Sequence, residues 1–277
     1  MEFAKIQGSG NDFIIVDNRD ERFYEFLEKA GVCLKEFVAR VCRPHTGVGA
    51  DGLILIENPE DPSNDFRWQF FNSDGSEAEM CGNGARCAVR FCYELGIVDE
   101  EVRFETLAGV IRAKVLEGGR RVKVQLTPPS VPVEKSLEVN GNPVKGVFIN
   151  TGVPHFVTLV SDIDRVDVVG LGRSIRFHRE FEPSGTNVDF VEIEGKRVKM
   201  RTYERGVEAE TLSCGTGAVA SAVVARTLGL VNTEEVEVIT RSGEVLKVHI
   251  GKGQGEVYLE GEVRKVFEGV LSLEIFS

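Results

Sequence analysis

Two stretches of the chain carry the same five-residue pattern, cysteine-glycine-any residue-glycine-alanine. They read CGNGA at residues 81–85 and CGTGA at residues 214–218, and they begin 133 residues apart. Each opens a stretch of small and apolar residues that ends in Leu-Gly, at 95–96 and at 228–229. A repeat with so long a period is typical of a duplicated domain and not of a solenoid of short units. The chain is therefore predicted to fold as two similar halves.

Weaker matches accompany this pair in the same order along the chain. GSEAE at 75–79 resembles GVEAE at 206–210, and TGVGADGLILIE at 46–57 resembles SGTNVDFVEIE at 184–194. The second match predicts that Asp51 corresponds to Asp189. Farther upstream, Phe13 in GNDFIIVD is predicted to correspond to Phe156 in VPHFVTLV. Because all these matches lie at similar offsets, they support a single duplication event.

The local patterns predict many strands and few helices. Short runs rich in β-branched residues are typical of strands, and they read VRFET, VIRAKV, RVKVQL, VKMRTY, VEVIT, VLKVHI and EVYLE. Helices are predicted at 33–42 and after each cysteine motif, where residues 215–229 are apolar on all sides as far as Arg226. We therefore expect an α/β (α+β) fold of two pseudo-symmetric duplicated domains, each a curved mixed sheet or barrel around a central helix. The proline-rich segment 126–134 marks the crossing between them.

Charge and cysteine spacing exclude several classes of protein. The formal net charge of −11 argues against a nucleic-acid or anionic-membrane partner, since both need clustered lysine and arginine. The amino-terminal residues lack a basic segment followed by an apolar one, so we expect no signal peptide and a cytoplasmic protein. The six cysteines are then reduced. None is spaced as Cys-x-x-Cys, so no metal site is expected.

A cysteine at a helix N-terminus has chemical consequences. It lies beside unpaired backbone N–H groups and the positive end of the helix dipole, so the pKa of its thiol is expected to be lowered. The neighbouring glycines let backbone N–H groups approach a carboxylate. Two such thiols facing one carbon suit the inversion of a stereocentre, with one removing a proton and the other returning it to the opposite face. The alternative is a small turn duplicated only for packing, since cysteine is often buried.

Several motifs together resemble one enzyme family. QGSGNDFIIVD, FNSDGSEAEMCGNGARC, TGVPHF, TNVDFV and YERGVEAETLSCGTGA are similar, in this order, to segments of the diaminopimelate epimerases. The resemblance implies a cofactor-independent epimerase that inverts one α-carbon of LL-diaminopimelate to give meso-diaminopimelate, in lysine and peptidoglycan precursor biosynthesis. It also implies a homodimer. In that fold the last strand returns to the first domain, which gives halves 1–126 plus 263–277, carrying Cys81, and 127–262, carrying Cys214.

The resemblance also implies roles for individual residues. Cys81 and Cys214 are the acid/base thiols, and His155 and Glu204 tune them. The implied substrate-binding residues are Asn11, Asn72, Gly82, Asn83, Asn187, Glu204, Arg205, Gly215 and Thr216. The planar fork of Arg205 suits a carboxylate, and Glu204 suits an ammonium group. The chain departs from the family pattern at Gly52 and Val153, where many members have Gln and Asn.

Other functions compete with this interpretation. A proline or hydroxyproline racemase shares the two-thiol chemistry, but CGNG and YERG favour the epimerase. Hydrolysis or acyl transfer through one cysteine, with His155 as the base, leaves the second motif unexplained. A ligand-binding relative without activity would not need both thiols. Pyridoxal phosphate is not implied, because no lysine lies in a recognisable cofactor motif.

Overall fold

The computed structural model describes residues 1–251 and 256–277, and it divides into two compact units. The first unit comprises Met1–Val124 and Gly261–Ser277, and the second unit comprises Gln125–Glu260. Each unit combines strands of mixed direction with a small number of helices, so the predicted α/β class is confirmed. The division into two catalytic halves at 126/127 and 262/263 stays a prediction.

The elements follow one another along the chain as strands interrupted by short helices. The strands are β1 Glu2–Gly8, β2 Asn11–Asp17, β3 Gly52–Glu57, β4 Phe66–Asn72, β5 Glu101–Thr106, β6 Gly109–Leu116, β7 Arg121–Leu126, β8 Val133–Val139, β9 Asn142–Asn150, β10 Pro154–Leu159, β11 Asn187–Glu194, β12 Arg197–Glu204, β13 Ala209–Thr211, β14 Glu235–Ile239, β15 Val245–Ile250, β16 Val257–Glu262 and β17 Arg264–Val270. The α-helices are α1 Arg22–Ala30, α2 Leu34–Val41, α3 Gly82–Glu94, α4 Val168–Arg176 and α5 Gly215–Thr227. Short 3-10 helices lie at Glu117–Gly119, Ile163–Arg165, Arg179–Phe181 and Leu273–Phe276. All seven strands predicted from β-branched runs are present.

The two units share one order of strands and crossovers. In the first unit β2 is parallel to β3, β3 is antiparallel to β4, and β4 is parallel to β5, with α3 in the second crossover. In the second unit β10 is parallel to β11, β11 is antiparallel to β12, and β12 is parallel to β14, with α5 in the second crossover. Parallel neighbours need such crossovers, which are usually helical. The duplication predicted from the sequence is therefore visible in the topology of each unit.

Helices cover both faces of the sheet in the first unit. Ile14 and Leu53 pack in one apolar cluster with residues of α1 and α2. On the other face, Phe13 and Ile54 lie against Gly84 at the start of α3. All six residues of β3 are buried, as expected of a strand covered on both sides. Helix α3 contacts β1, β2, β3 and β6, so the sheet curves around it.

The second unit repeats this layering with α4 and α5. Phe156 and Val188 form a cluster with Val168 and Ile175 of α4. Helix α5 packs against β9, β10, β11, β12, β14 and β15. Most of its residues are buried, as its apolar sequence predicts. The prediction of a curved mixed sheet around a central helix is confirmed in each unit.

Two helices were not predicted from the sequence. Helix α1 buries only Phe23 completely, and its remaining residues are largely polar. Helix α4 contains two glycines, which lower intrinsic helix propensity. A Cβ at Gly172 would lie 2.5 Å from the Cβ of Tyr203, so the glycine allows α4 to approach β12. Packing therefore decides the conformation of α4 against its propensity.

The strand registers correct the predicted equivalence of Phe13 and Phe156. The parallel ladders pair Phe13 with Gly52 and His155 with Asn187. Phe13 faces the central helix of its unit, whereas Phe156 faces the opposite layer, around α4. Adjacent residues of a strand point to opposite faces, so an error of one residue exchanges the two layers. The residue equivalent to Phe13 is His155.

The same registers overturn the predicted pairing of Asp51 with Asp189. Ile54 and Asp189 occupy equivalent ladder positions, two residues after Gly52 and Asn187. Both point to the start of the central helix in their own unit. A buried aspartate in one unit therefore stands where the other unit has isoleucine.

Candidate active site

Cys81 lies at the N-cap of α3, as the glycine motif predicts. Its backbone is extended, with φ −144° and ψ 118°, and its Sγ accepts a hydrogen bond from the N–H of Gly84 at 3.4 Å. The side chain is half-buried, while Gly82 and Asn83 beside it are buried. A sulfur placed here meets the free N–H groups of the first helical turn. This geometry favours negative charge on the sulfur.

A chain of hydrogen bonds extends from Asn83 in the first turn of α3. The amide nitrogen of Asn83 donates to Oδ1 of Asn11 at 2.6 Å, and the amide nitrogen of Asn11 donates to Oδ2 of Asp51 at 3.0 Å. On its other side, Oδ1 of Asn83 accepts from Nη2 of Arg86 at 2.6 Å. The same Nη2 donates to Oγ of Ser9 at 2.7 Å. The structure thus joins two predicted binding residues, Asn11 and Asn83, in one network.

Asn72 lies apart from this chain of hydrogen bonds but in the same unit. It is exposed at the end of β4, and its amide nitrogen donates to Oγ of Ser76 at 3.1 Å. Ser76 belongs to the segment that leads from β4 to Cys81. Asn72 therefore holds the turn upstream of the thiol.

Cys214 occupies the N-cap of α5, but its surroundings differ from those of Cys81. It is buried, with 6% of its surface exposed, and its Sγ lies 3.4 Å from Oγ1 of Thr216. Burial raises the pKa of the Cys214 thiol well above its usual value, and the charges of Glu204 and Asp189 raise it further. Hydrogen bonding with Thr216 and with the backbone N–H of Gly217 lowers it by less. The expectation that the helix N-terminus lowers this pKa is therefore wrong for Cys214, because desolvation is the larger effect.

His155 connects the Cys214 region to a buried carboxylate. Its Nε2 lies 3.0 Å from Oγ1 of Thr216, and its Nδ1 lies 2.7 Å from Oδ2 of Asp189. Thr202 donates to the other oxygen of Asp189 at 2.7 Å. Both His155 and Asp189 are completely buried. Because a carboxylate accepts at Nδ1, the imidazole carries a proton there and leaves Nε2 free to accept from Thr216.

The other predicted residues of the second unit lie around this network. The backbone N–H of Arg205 donates to Oδ1 of Asn187 at 2.7 Å, and the amide of Asn187 lies 3.4 Å from Nε2 of His155. The guanidinium of Arg205 donates to the carbonyl of Ser184 at 3.2 Å. Glu204, at the end of β12, acts on the thiol of Cys214 through its charge. Gly215 follows that cysteine as the first residue of α5.

The sequence pattern did not assign a role to Asp189, Arg86, Ser9 or Thr202. A signal for Asp189 was present, since a carboxylate in the apolar strand NVDFV requires a buried partner. Arg86 is completely buried and differs in this from Arg90 on the same helix. Its partner Ser9 has a positive φ of 58° in the turn between β1 and β2. These pairings depend on strand register, which the sequence did not reveal.

Gly52 has a steric explanation. An ideal Cβ at this position would lie 2.5 Å from the carbonyl oxygen of Phe71 and 2.8 Å from the ring of Phe70. A larger residue at position 52 therefore requires β4 to move. The glycine therefore permits the close approach of β3 and β4 at this position.

The chain is similar to known proteins over nearly its whole length. The family model described as diaminopimelate epimerase matches residues 3–132 and 147–266. The chain belongs to the diaminopimelate epimerase family. A relative from Aquifex aeolicus, named diaminopimelate epimerase, is 63% identical over 278 residues and covers 100% of both chains. Relatives of the same name from Hydrogenobaculum sp. and Archaeoglobus fulgidus are 52% and 41% identical, and the alignments cover at least 97% of each chain.

Two solved structures with the same fold have low sequence identity to this family member. A PhzF family phenazine biosynthesis protein from Bacillus anthracis aligns with a TM-score of 0.70 at 16% identity, over 98% of this chain and 99% of the other. A probable proline racemase from Agrobacterium radiobacter aligns with a TM-score of 0.71 at 15% identity, over 98% and 93%. These likenesses show the fold alone. The curated relatives place the chain in the isomerase class as an epimerase.

Within residues 1–251 and 256–277, no helix is both long enough and apolar enough to cross a bilayer.

Proposed function

We propose that the protein interconverts LL- and meso-diaminopimelate by inverting one α-carbon. The observation that carries this proposal is the pair of cysteines at the N-caps of α3 and α5, in a chain that belongs to this family over nearly its full length. The reaction uses no pyridoxal phosphate and no metal. The proposed setting is lysine and peptidoglycan precursor biosynthesis, by a homodimer in the cytoplasm.

The proposed chemistry is general acid/base catalysis by two thiols. The thiolate of one cysteine removes the α-proton, and the thiol of the other donates a proton to the opposite face of the same carbon. Backbone N–H groups at Gly82–Asn83 and Gly215–Thr216 stabilise the negative charge that the carboxylate gains as the proton leaves. In the reverse direction the thiols exchange roles. Each turnover therefore needs one thiolate and one thiol.

The surroundings of Cys214 support a protonated thiol in the free enzyme. Its raised pKa keeps the proton on sulfur near neutral pH, so Cys214 can serve as the proton donor of the first turnover. Thr216 connects the thiol to His155, whose orientation is fixed by Asp189. When Cys214 acts as the base, the backbone N–H of Gly217 stabilises the thiolate. Glu204 acts in the opposite direction, since its charge disfavours the thiolate.

The remaining predicted residues bind the end of the substrate that does not react. Arg205 binds the distal carboxylate and Glu204 the distal ammonium group, while Asn11, Asn72 and Asn187 supply amide contacts. Lysine lacks the second carboxylate, so it is expected to be a very poor substrate. Efficient turnover of free proline would instead indicate a racemase.

We also propose that the catalytic halves are residues 1–126 plus 263–277 and residues 127–262. The antiparallel pairing of β17 with β1 supports the return of the C-terminal strand to the first half. The matching crossovers that contain α3 and α5 support one catalytic thiol in each half.

Isotope exchange tests the proposal. Purified protein is incubated with LL-diaminopimelate in deuterium oxide, and the isomers are separated and analysed by mass. We expect one deuterium at the inverted α-carbon and unchanged activity after dialysis against a chelator and a carbonyl-trapping reagent. A requirement for pyridoxal phosphate or a metal, or inversion without deuterium, would contradict the two-thiol mechanism.

A further inference from the structure

Two charged residues end the hydrogen-bond chain of the first unit. Arg86 lies at one end, and Asp51 lies at the other. A guanidinium only donates hydrogen bonds, and a carboxylate only accepts them. Between them lie Asn83 and Asn11, whose amides can both donate and accept. The chemistry of the two ends therefore determines the direction of every bond between them.

Every hydrogen bond in this chain is donated in the same direction, from Arg86 toward Asp51. Nη2 of Arg86 donates at 2.6 Å to Oδ1 of Asn83, so the nitrogen of that amide points away and donates at 2.6 Å to Oδ1 of Asn11. The nitrogen of Asn11 then donates at 3.0 Å to Oδ2 of Asp51. If either amide were flipped, two nitrogens or two oxygens would face each other. Neither flipped arrangement makes a hydrogen bond.

We propose that Arg86 and Asp51 are positioning residues that fix the orientation of the Asn83 and Asn11 amides for the substrate. Each amide nitrogen carries two N–H groups and uses one of them within the chain of bonds. The second N–H of each amide can donate to a carboxylate of the substrate. A flipped amide would present its oxygen to that carboxylate and repel it. This inference rests on the proposed function.

The packing around Arg86 supports a specific role for its guanidinium. Burial of a charged group is costly unless hydrogen bonds compensate, and Arg86 is completely buried. Ser9, which also accepts from it, adopts a positive φ in a turn where asparagine, aspartate or glycine is favoured. An ideal Cβ at Gly8 would lie 3.6 Å from the same guanidinium nitrogen. The β1–β2 turn is thus shaped to bring a hydroxyl to Arg86.

Asp51 is held in place by a reciprocal pair with Asp12. The backbone N–H of Asp12 donates to Oδ2 of Asp51 at 3.1 Å, and the backbone N–H of Asp51 donates to Oδ1 of Asp12 at 3.1 Å. Lys5 forms an ion pair with Asp12 at 2.9 Å, which offsets the proximity of two carboxylates. These bonds fix the position of the Asp51 carboxylate, which is the accepting end of the chain of bonds, at the starts of the parallel strands β2 and β3.

The test compares variants that keep the direction of donation with variants that lose it. Arg86→Lys keeps a group that only donates, whereas Arg86→Gln is similar in length but can also accept. Asp51→Leu, which is similar in shape, removes the acceptor at the other end. Arg90→Met, one turn along α3 in an ion pair with Glu94, and Asp20→Leu, in an exposed pair with Arg22, are the matched controls.

Steady-state kinetics with LL-diaminopimelate and the melting temperature are measured for each variant. We expect Arg86→Gln and Asp51→Leu to raise KM roughly tenfold or more with a smaller change in kcat, because substrate binding is lost first. Arg86→Lys should recover most of that loss, and both controls should stay within about threefold of wild type.

Three outcomes decide the inference separately from the proposed function. If the wild-type protein does not turn over diaminopimelate, the proposed function fails. If the wild type is active but Arg86→Gln matches Arg86→Lys in KM at an intact melting temperature, donor direction does not matter and the inference fails. If Arg86→Gln does not fold, the variant of the exposed Asp51, Asp51→Leu, decides, and an unchanged KM there overturns the inference.

Discussion

The two units differ in the strand side chains that face the start of the central helix. In the first unit this position is lined by Phe13, Ile54 and Phe70, and the two rings form an edge-to-face contact with centroids 5.8 Å apart. In the second unit the equivalent strand positions hold His155, Asp189 and Thr202, joined by hydrogen bonds. One backbone plan thus supports an apolar triad in one unit and a buried polar triad in the other.

This difference explains how two copies of one fold give their thiols different environments. In the first unit the central helix itself carries a buried charge, the cation of Arg86, which binds Asn83 two residues after Cys81. Around Cys214 the buried carboxyl group of Asp189 comes from the neighbouring strand. In the proposed mechanism each inversion needs one thiolate and one thiol, and two identical environments would not distinguish them. The difference between the two environments is consistent with that requirement.

Removal of either N-cap thiol should have the largest effect on activity. Cys81→Ala and Cys214→Ala are each expected to lower kcat by roughly a thousandfold or more, because inversion needs a proton-transferring group on both faces. The exposed Cys33→Ala is the control and should retain full activity. Loss of less than about tenfold in either catalytic variant would show that its thiol is not an acid/base group.

Disruption of the polar triad should come next. Asp189→Asn can donate to Nδ1 of His155, which favours the wrong tautomer and removes the acceptor at Nε2. We expect kcat to fall by about a hundredfold, by analogy with the general cost of a misoriented imidazole. The exposed Asp164→Asn serves as the control, and circular dichroism verifies the fold. Normal activity of a folded Asp189→Asn protein would remove the triad from the mechanism.

Alkylation rates should separate the two thiols. Thiolate is the reactive form, and the raised pKa of Cys214 leaves little thiolate at pH 8. We expect iodoacetamide to modify Cys214 at least about tenfold more slowly than the half-buried Cys81 at this pH, as followed by peptide mapping. The rate at Cys214 should keep rising with pH above the range where an ordinary cysteine levels off. Equal rates and equal pH profiles would contradict the assigned asymmetry.

A pair of glycine substitutions should give the smallest effect. A Cβ at Gly217 would lie 2.6 Å from Oδ1 of Asp189, whereas a Cβ at Gly84 would meet Ile54 at 3.5 Å, an ordinary contact distance. Gly217→Ala is therefore expected to displace the carboxylate and lower kcat by roughly tenfold, and Gly84→Ala by less than about threefold. The comparison would be contradicted if the two alanine variants were equally active.

Repeats and local patterns predicted much of the fold. The cysteine motifs identified α3 and α5, and runs such as VRFET and VLKVHI identified strands, because both signals are local. Helix α4 was not predicted because its two glycines lower helix propensity, and packing against Tyr203 stabilises it instead. The pairing of Phe13 with Phe156 was wrong by one residue, since sequence similarity does not reveal which face of a strand a side chain occupies.

The sequence predicted many residues of the candidate site but few of the hydrogen bonds between them. Asn83, Thr216 and His155 were named through the family resemblance, and the structure shows what each contacts. Asp189 and Arg86 were not named, because their partners lie far away in sequence and are brought close only by strand register and helix packing. The raised pKa of Cys214 was not predicted either, since burial cannot be read from a motif.

The close approach of Gly217 to Asp189 has an evolutionary consequence. Since the carboxylate occupies the space that a β-carbon would need, the two positions are expected to vary together. A descendant of this chain could gain a side chain at position 217 only after, or together with, loss of the acid at position 189. A Cβ at Gly84 would lie 3.5 Å from Ile54, which is an ordinary contact, so no comparable coupling is expected in the first unit. The two glycines at the starts of the central helices are therefore under unequal constraint, although both units have glycine at this position.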